Sequence, residues 1–282
     1  MVDETKLTVG ICGLGLIGGS MAKAYKEAGH TVLGFDIHEA TLGYAALAEI
    51  TDGVLNESTL PSCDLLFIAL YPQKAVDYLT EIAPLIDRHT VVIDLCGTKK
   101  QICDCGFTLA KQYGFTFVGG HPMAGTQYSG IKYAKATLFK NAPMVLVPPL
   151  YDDISFLDQI RQLLAPAGFG KFSVTTAEAH DQMIAFTSQL AHLVSNAYVK
   201  SPSAKGHKGF SAGSYKDMTR VAWLNEQMWT ELFLENKEPL LFELDQIIQS
   251  LSEYRDAIAS NDADTLRSLL RDGRIAKEQI DG

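Results

Sequence analysis

No apolar run in this 282-residue sequence approaches the ~18–20 residues that a membrane-spanning helix needs, so no helical membrane anchor is expected. Basic charge is also scarce. Lys and Arg total 24 against 33 Asp and Glu, a formal net charge of −9. Such a balance disfavours binding along a phosphate backbone, and nucleic acid is not an expected partner. A small anionic substrate needs only one or two placed cations and stays open. Paired cysteines are missing too. Cys12, Cys63, Cys96, Cys103 and Cys105 are odd in number and scattered, which is not a disulfide framework. Only Cys103 and Cys105 lie close, with no second pair or His cluster at zinc spacing, so no metal site is expected. The first residues, Met1-Val2-Asp3-Glu4, are acidic and lack the basic flank and apolar stretch of a targeting peptide. There is no internal repeat and no low-complexity tract. These absences predict a soluble, cytoplasmic protein with reduced thiols.

What is present begins with Leu7-Thr8-Val9-Gly10-Ile11-Cys12-Gly13-Leu14-Gly15-Leu16-Ile17-Gly18. A short apolar strand runs into glycines at G-x-G-x-x-G spacing. Gly13 permits a tight turn, Gly15 lets a pyrophosphate approach the backbone, and Gly18 lets the next helix pack closely. Leu16 and Ile17 open that helix, expected over residues 16–28, whose N-terminal N–H groups face the phosphates. A second strand, Thr31-Val32-Leu33-Gly34-Phe35, ends at Asp36. Asp36 falls 18 residues after Gly18, near the ~20 expected of a carboxylate that binds an adenosine ribose. Gly13, Gly15, Leu16, Ile17, Gly18 and Asp36 are therefore candidate cofactor residues.

Further along, Leu65-Leu66-Phe67-Ile68-Ala69-Leu70 is continuously apolar, as in a parallel strand covered on both faces. It ends at Tyr71-Pro72, where ligands sit in open α/β sheets, so Leu70 joins the cofactor candidates. Strands are also expected at residues 90–94, 115–118, 143–148 and 170–174, with helices at 74–86, 99–113 and 154–164. This alternation predicts a Rossmann-type, doubly wound, mostly parallel α/β sheet. After Thr176 the strands stop. Residues 177–198, 214–221, 226–252 and 262–279 read as helices. The expected domains are residues 1–175, binding a dinucleotide, and 176–282, all-helical. The second carries an apolar face (Leu232, Phe233, Leu240, Leu241, Leu244, Ile247, Ile248, Leu251) larger than one small bundle needs, which predicts a homodimer.

The segment Gly119-Gly120-His121-Pro122-Met123-Ala124-Gly125-Thr126 places a histidine at the C-terminal end of an expected parallel strand. Imidazole accepts a proton at neutral pH, which suits a general base. This segment, with the glycine turn, His180-Asp181, Ser188-Gln189-Leu190-Ala191-His192, residues 215–222, Asn225-Glu226-Gln227-Met228-Trp229 and Glu235-Asn236, resembles the prephenate/arogenate dehydrogenases of tyrosine biosynthesis. The resemblance covers nearly the whole chain.

The resemblance implies an NAD-dependent oxidative decarboxylation, with prephenate as the expected substrate and arogenate as the alternative. It matches His121 to the catalytic base and Thr98 to a hydroxyl that orients the base or the substrate hydroxyl, and Thr98 is also a candidate cofactor contact. It matches His192 and Arg220 to substrate-binding positions, the guanidinium suiting a carboxylate. Each keeps a local alternative: Thr98 can cap the helix starting near Lys99, His192 can be a core histidine, and Arg220 can pair with Asp217 or Glu226. Gln127 stands where the family commonly has Glu, which bears on how the substrate side chain is read. Asp36 is followed by Ile37-His38 with no Arg or Lys, so NAD is favoured over NADP. No room is expected for a regulatory domain or a fused mutase. A β-hydroxyacid dehydrogenase would be expected to carry a catalytic Lys in residues 177–198, and there is none. A non-catalytic dinucleotide sensor is the remaining alternative.

Overall fold

A computed structural model describes residues 6–126 and 128–281. The first half alternates β1 (Thr8–Cys12), α1 (Leu16–Glu27), β2 (Thr31–Phe35), α2 (Glu39–Leu47), β3 (Gly53–Val54), β4 (Leu65–Ile68), α3 (Pro72–Ile82), β5 (Val91–Asp94), α4 (Lys100–Tyr113) and β6 (Thr116–Pro122). It closes with β7 (Pro143–Val147), α5 (Ile154–Leu163) and β8 (Lys171–Val174). The strands form one sheet in the order β3-β2-β1-β4-β5-β6-β7-β8. The order reverses between β1 and β4, and ligands bind outside the strand C-termini at such a switch point.

Continuous apolar strands have a direct cause here. Along β4, Leu65 and Phe67 enter one buried cluster with Val9, Ile11, Ile93 and Val118. Leu66 and Ile68 enter a second cluster with Val92 and Phe117 on the opposite side. Successive side chains point to opposite faces, so a sheet covered on both faces needs apolar residues at every position.

One pairing departs from parallel. β7 runs antiparallel to β6, with His121 opposite Val145 and Pro122 opposite Met144. Among the described residues only a short 3-10 turn, Ile131–Tyr133, lies between the two strands, and the chain returns alongside instead of crossing over. This pairing carries β6 through Pro122, beyond the expected end at Val118. His121 thus sits on a hydrogen-bonded strand and not in an exit loop.

The second half is helical: α6 (Ala177–Ile184), a π-helical segment (Ala185–Leu190), α7 (Ala191–Tyr198), α8 (Gly213–Thr219), α9 (Glu226–Glu235), α10 (Lys237–Ala259) and α11 (Ala263–Asp281). Two expected helices are interrupted. Residues 177–198 contain the π segment, and 226–252 break at Asn236. Both irregularities serve one buried network. Asn236 Nδ2 donates to the Asp181 carbonyl at 2.7 Å and to Gln189 Oε1 at 2.8 Å. Gln189, inside the π segment, donates in turn to the Leu232 carbonyl at 2.9 Å. A buried amide must find partners, and here the backbone bends to supply them. Among the described residues no helix is long and apolar enough to cross a membrane, and no group of three or more His, Cys, Asp or Glu is placed to hold a metal ion.

Candidate active site

The strand C-termini and the helical half enclose a cleft of about 2580 Å³. At one end lies the glycine turn. Gly13 has φ +86°, a left-handed conformation that side chains rarely adopt. A Cβ at Gly18 would lie 1.8 Å from the Gly13 carbonyl oxygen, so α1 can pack against the turn only with glycine there. A Cβ at Gly15 would meet nothing within 4 Å, because that backbone opens onto the cleft. Asp36 stands beside it at the end of β2. Its carboxylate accepts from the Leu14 and His38 amides, both at 2.9 Å. Gly13, Gly15, Leu16, Ile17, Asp36 and Leu70 all line the cleft, while Gly18 lies beneath the turn.

At the other end are His121, His192, Arg220 and Trp229. His121 is half-buried on β6, and its Nδ1 lies 2.8 Å from His180 Nε2 on α6. His180 Nδ1 lies 2.7 Å from Asp181 Oδ1. Burial, then the neighbouring His180 and the Lys99 ammonium, hold His121 well below the ordinary imidazole range. Burial also lowers His180, although its bond to Asp181 opposes that shift. His121 is therefore neutral at physiological pH, as a proton acceptor must be.

His192 is fixed by a 2.8 Å contact from Nδ1 to the Ser188 carbonyl, so Nδ1 carries the proton and Nε2 is the accepting nitrogen. Its ring stacks on Trp229 with centroids 4.1 Å apart. Burial, and secondarily Arg220, lower its pKa despite the Ser188 contact. Arg220 is exposed in the cleft and makes no ion pair among the described residues, with neither Asp217 nor Glu226.

Thr98 differs from the other matched residues. It is buried and outside the cleft lining, and its hydroxyl donates to Glu235 Oε2 at 2.8 Å. It does not cap α4. Asp181 does so from the helical half, accepting from the Lys99 amide at 2.7 Å and the Lys100 amide at 2.9 Å. At this point the cleft is lined by Cys96 and Gly97, which offer no hydroxyl. Gln127 lies outside the described residues.

Sequence reasoning left several junction residues without a role. Lys99 and Asp94 form an ion pair in which both side chains are fully buried. Asp94 also accepts from the Cys96 amide at 2.9 Å and the Gly120 amide at 3.2 Å, and so fixes the backbone just before His121. Glu235 is pushed up to about 6, chiefly by burial, with the Thr98 bond opposing. Glu231 Oε1 accepts from the Gln73 amide at the start of α3 at 3.0 Å. Thus Asp181, Glu231 and Glu235 of the helical half each take a donor from a loop or a helix start at the sheet's C-terminal edge. The signal for His180 and Asp181 was their place in the family resemblance; nothing in their local sequence marks them as neighbours of His121.

A sheet in this strand order, a glycine turn opening on a cleft, and a helical half closing that cleft with a histidine and an arginine define a two-domain protein of the dinucleotide-binding dehydrogenase class. Residues 21–172 match the nucleotide-binding domain of prephenate dehydrogenase, and residues 176–272 match its dimerization domain. The chain belongs to the prephenate dehydrogenase family. It is 30% identical over 296 residues to prephenate dehydrogenase of Bacillus subtilis, covering 100% of this chain and 77% of that one. Among solved structures it resembles A. aeolicus prephenate dehydrogenase in complex with hydroxyphenyl propionate and NAD+, with TM-score 0.82, 26% identity and coverage of 99% and 100%. It also resembles Synechocystis arogenate dehydrogenase, with TM-score 0.79, 28% identity and coverage of 97% and 99%.

Proposed function

We propose that this protein is an NAD-dependent prephenate dehydrogenase, converting prephenate to 4-hydroxyphenylpyruvate and CO2. The observation that carries this reading is a neutral His121 facing the same cleft as the dinucleotide turn and the unpaired Arg220. The bare backbone at Gly15 and the oriented Asp36 carboxylate fit a pyrophosphate and an adenosine ribose, and Asp36 repels a 2′-phosphate. NAD bound there would supply the hydride acceptor for the ring carbon bearing the 4-hydroxyl. His121 takes the proton of that hydroxyl as the carbonyl forms. Arg220 pairs with a substrate carboxylate, and His192, held by Ser188 and Trp229, shapes the pocket around the substrate. Loss of the ring carboxylate as CO2 leaves an aromatic ring, so the chain mainly positions groups and moves one proton. Thr98 acts on this cleft through Glu235 and the domain junction.

Residues 1–175 form the cofactor domain in this reading, and 176–282 the substrate and dimerisation domain of a cytoplasmic homodimer. On α10, Leu241, Phe242, Ile248 and Leu251 are between 47% and 62% exposed in one chain, which a second copy would cover.

The family includes arogenate dehydrogenases, and arogenate differs from prephenate in carrying an amino group in place of the side-chain keto group. NADH formation measured by absorbance with each substrate in parallel separates the two. A faster rate with prephenate is expected, and a faster rate with arogenate reassigns the substrate. In the same assay His121→Asn should lower kcat by about 10²–10⁴-fold while NAD binding is kept. Full turnover would remove His121 as the base.

A further inference from the structure

We infer that His180, held by Asp181, is a positioning residue that fixes His121 in the tautomer whose Nε2 lone pair faces the cleft. The inference rests on His121 being the base and adds how it is kept competent. An ionised carboxylate only accepts hydrogen bonds, so the 2.7 Å contact requires the proton of His180 on Nδ1. A neutral imidazole carries a single N–H, which leaves His180 Nε2 as an acceptor. The 2.8 Å contact with His121 then requires the His121 proton on Nδ1. His121 Nε2 is left as a lone pair with no partner among the described residues.

This placement of protons holds for neutral rings. Burial and the Lys99 ammonium disfavour protonation of both histidines, while for His180 its bond to Asp181 and the charge of Asp94 work in the opposite sense. Asp181 is itself immobilised. Its carboxylate accepts the Lys99 and Lys100 amides, and its carbonyl accepts from Asn236. The base is therefore assembled across the domain junction: His121 comes from the sheet, and its tautomer is set by the first helix of the other half. When His121 takes the substrate proton at Nε2, its Nδ1–H bond to His180 persists, so the proton transfer requires no rearrangement behind it.

The test separates positioning from simple structural support. In His180→Asn the amide still reaches Asp181 from the place of Nδ1 but no longer reaches His121. A structural bond between His180 and Asp181 is thus kept while the tautomer control is removed. Expected are a fall in kcat on the order of 10²-fold, a prephenate KM within about threefold and unchanged NAD affinity. Long-range 1H–15N spectra of 15N-histidine-labelled protein, with the His121 signal assigned by its loss in His121→Asn, give an independent readout. The native protein should show His121 as the Nδ1–H tautomer, and His180→Asn should shift it towards Nε2–H. Native kcat in His180→Asn, or an Nε2–H tautomer for His121 in the native protein, overturns the inference. The spectrum of the native protein decides even if the variant does not fold. If His121→Asn itself retains full turnover, the base assignment fails; if it is inactive while His180→Asn is not, only the positioning role fails.

Discussion

The two halves of this molecule build their parts of the cleft from different materials. The sheet half is buried on both faces, with a cluster of apolar side chains on each. Its contribution to the dinucleotide end is mostly backbone: the turn at Gly13, the open peptide at Gly15, and amides that aim the Asp36 carboxylate. Among the described residues, the apolar cluster of the helical half has only Ala185, Leu190 and Leu240 buried. Its contribution is side chains, namely His180, Asp181, His192 and Arg220, carried on helices that bend or break to satisfy buried amides. A ligand portion shared by many enzymes can be held by a rigid scaffold of backbone. The part that decides which substrate reacts depends on side chains, whose placement relies on the junction between the halves.

The largest expected effect breaks that junction at its centre. Lys99→Met leaves Asp94 as an unpaired buried carboxylate, and removing one partner of such a pair costs about 3–5 kcal/mol. Urea unfolding should show this loss. Next, Phe242→Glu places a charge on the exposed face of α10 that a second copy would bury. Light scattering should then report a monomer, against the dimer proposed for the native protein; an unchanged mass would move the interface elsewhere. A smaller effect sharpens the electrostatics of the cleft. As the proposed base, His121 must be neutral, and its pKa is lowered, so activity is expected above that lowered value and should be lost as pH falls through it. The acid limb of kcat/KM should lie below the ordinary imidazole value of about 6.5, with no loss between about pH 8 and that value. The least effect belongs to the surface of the helical half. Arg267 and Asp264 form a 2.7 Å pair whose side chains are 73% and 93% exposed. Arg267→Ala should leave the urea midpoint unchanged, because solvent screens such a pair. The contrast with Lys99 shows that burial, and not ion pairing itself, makes a charge structurally decisive.

The strands, the helices between them, the glycine turn and Asp36 could be read from the sequence because each is a local pattern. Apolar runs mark strands covered on both faces, and glycine marks a φ that other residues avoid. Motif order also marked His121, His192 and Arg220, and the structure brings all three to one cleft. Other features depend on partners far away in the chain. β6 extends to Pro122 because β7 pairs with it, and no pattern within 115–122 reports that partner. Thr98 reads locally as a cap, yet its hydroxyl bonds Glu235, 137 residues away. The cap on α4 comes instead from Asp181, 82 residues from Lys99. His180 meets His121 across 59 residues. Local periodicity and turn chemistry, which act within a few residues, thus determined the layers and the dinucleotide end. Only the docking of the helical half onto the sheet decided which donors and acceptors meet at the junction, because such bonds form between groups that share no local signal and become neighbours when both halves are folded.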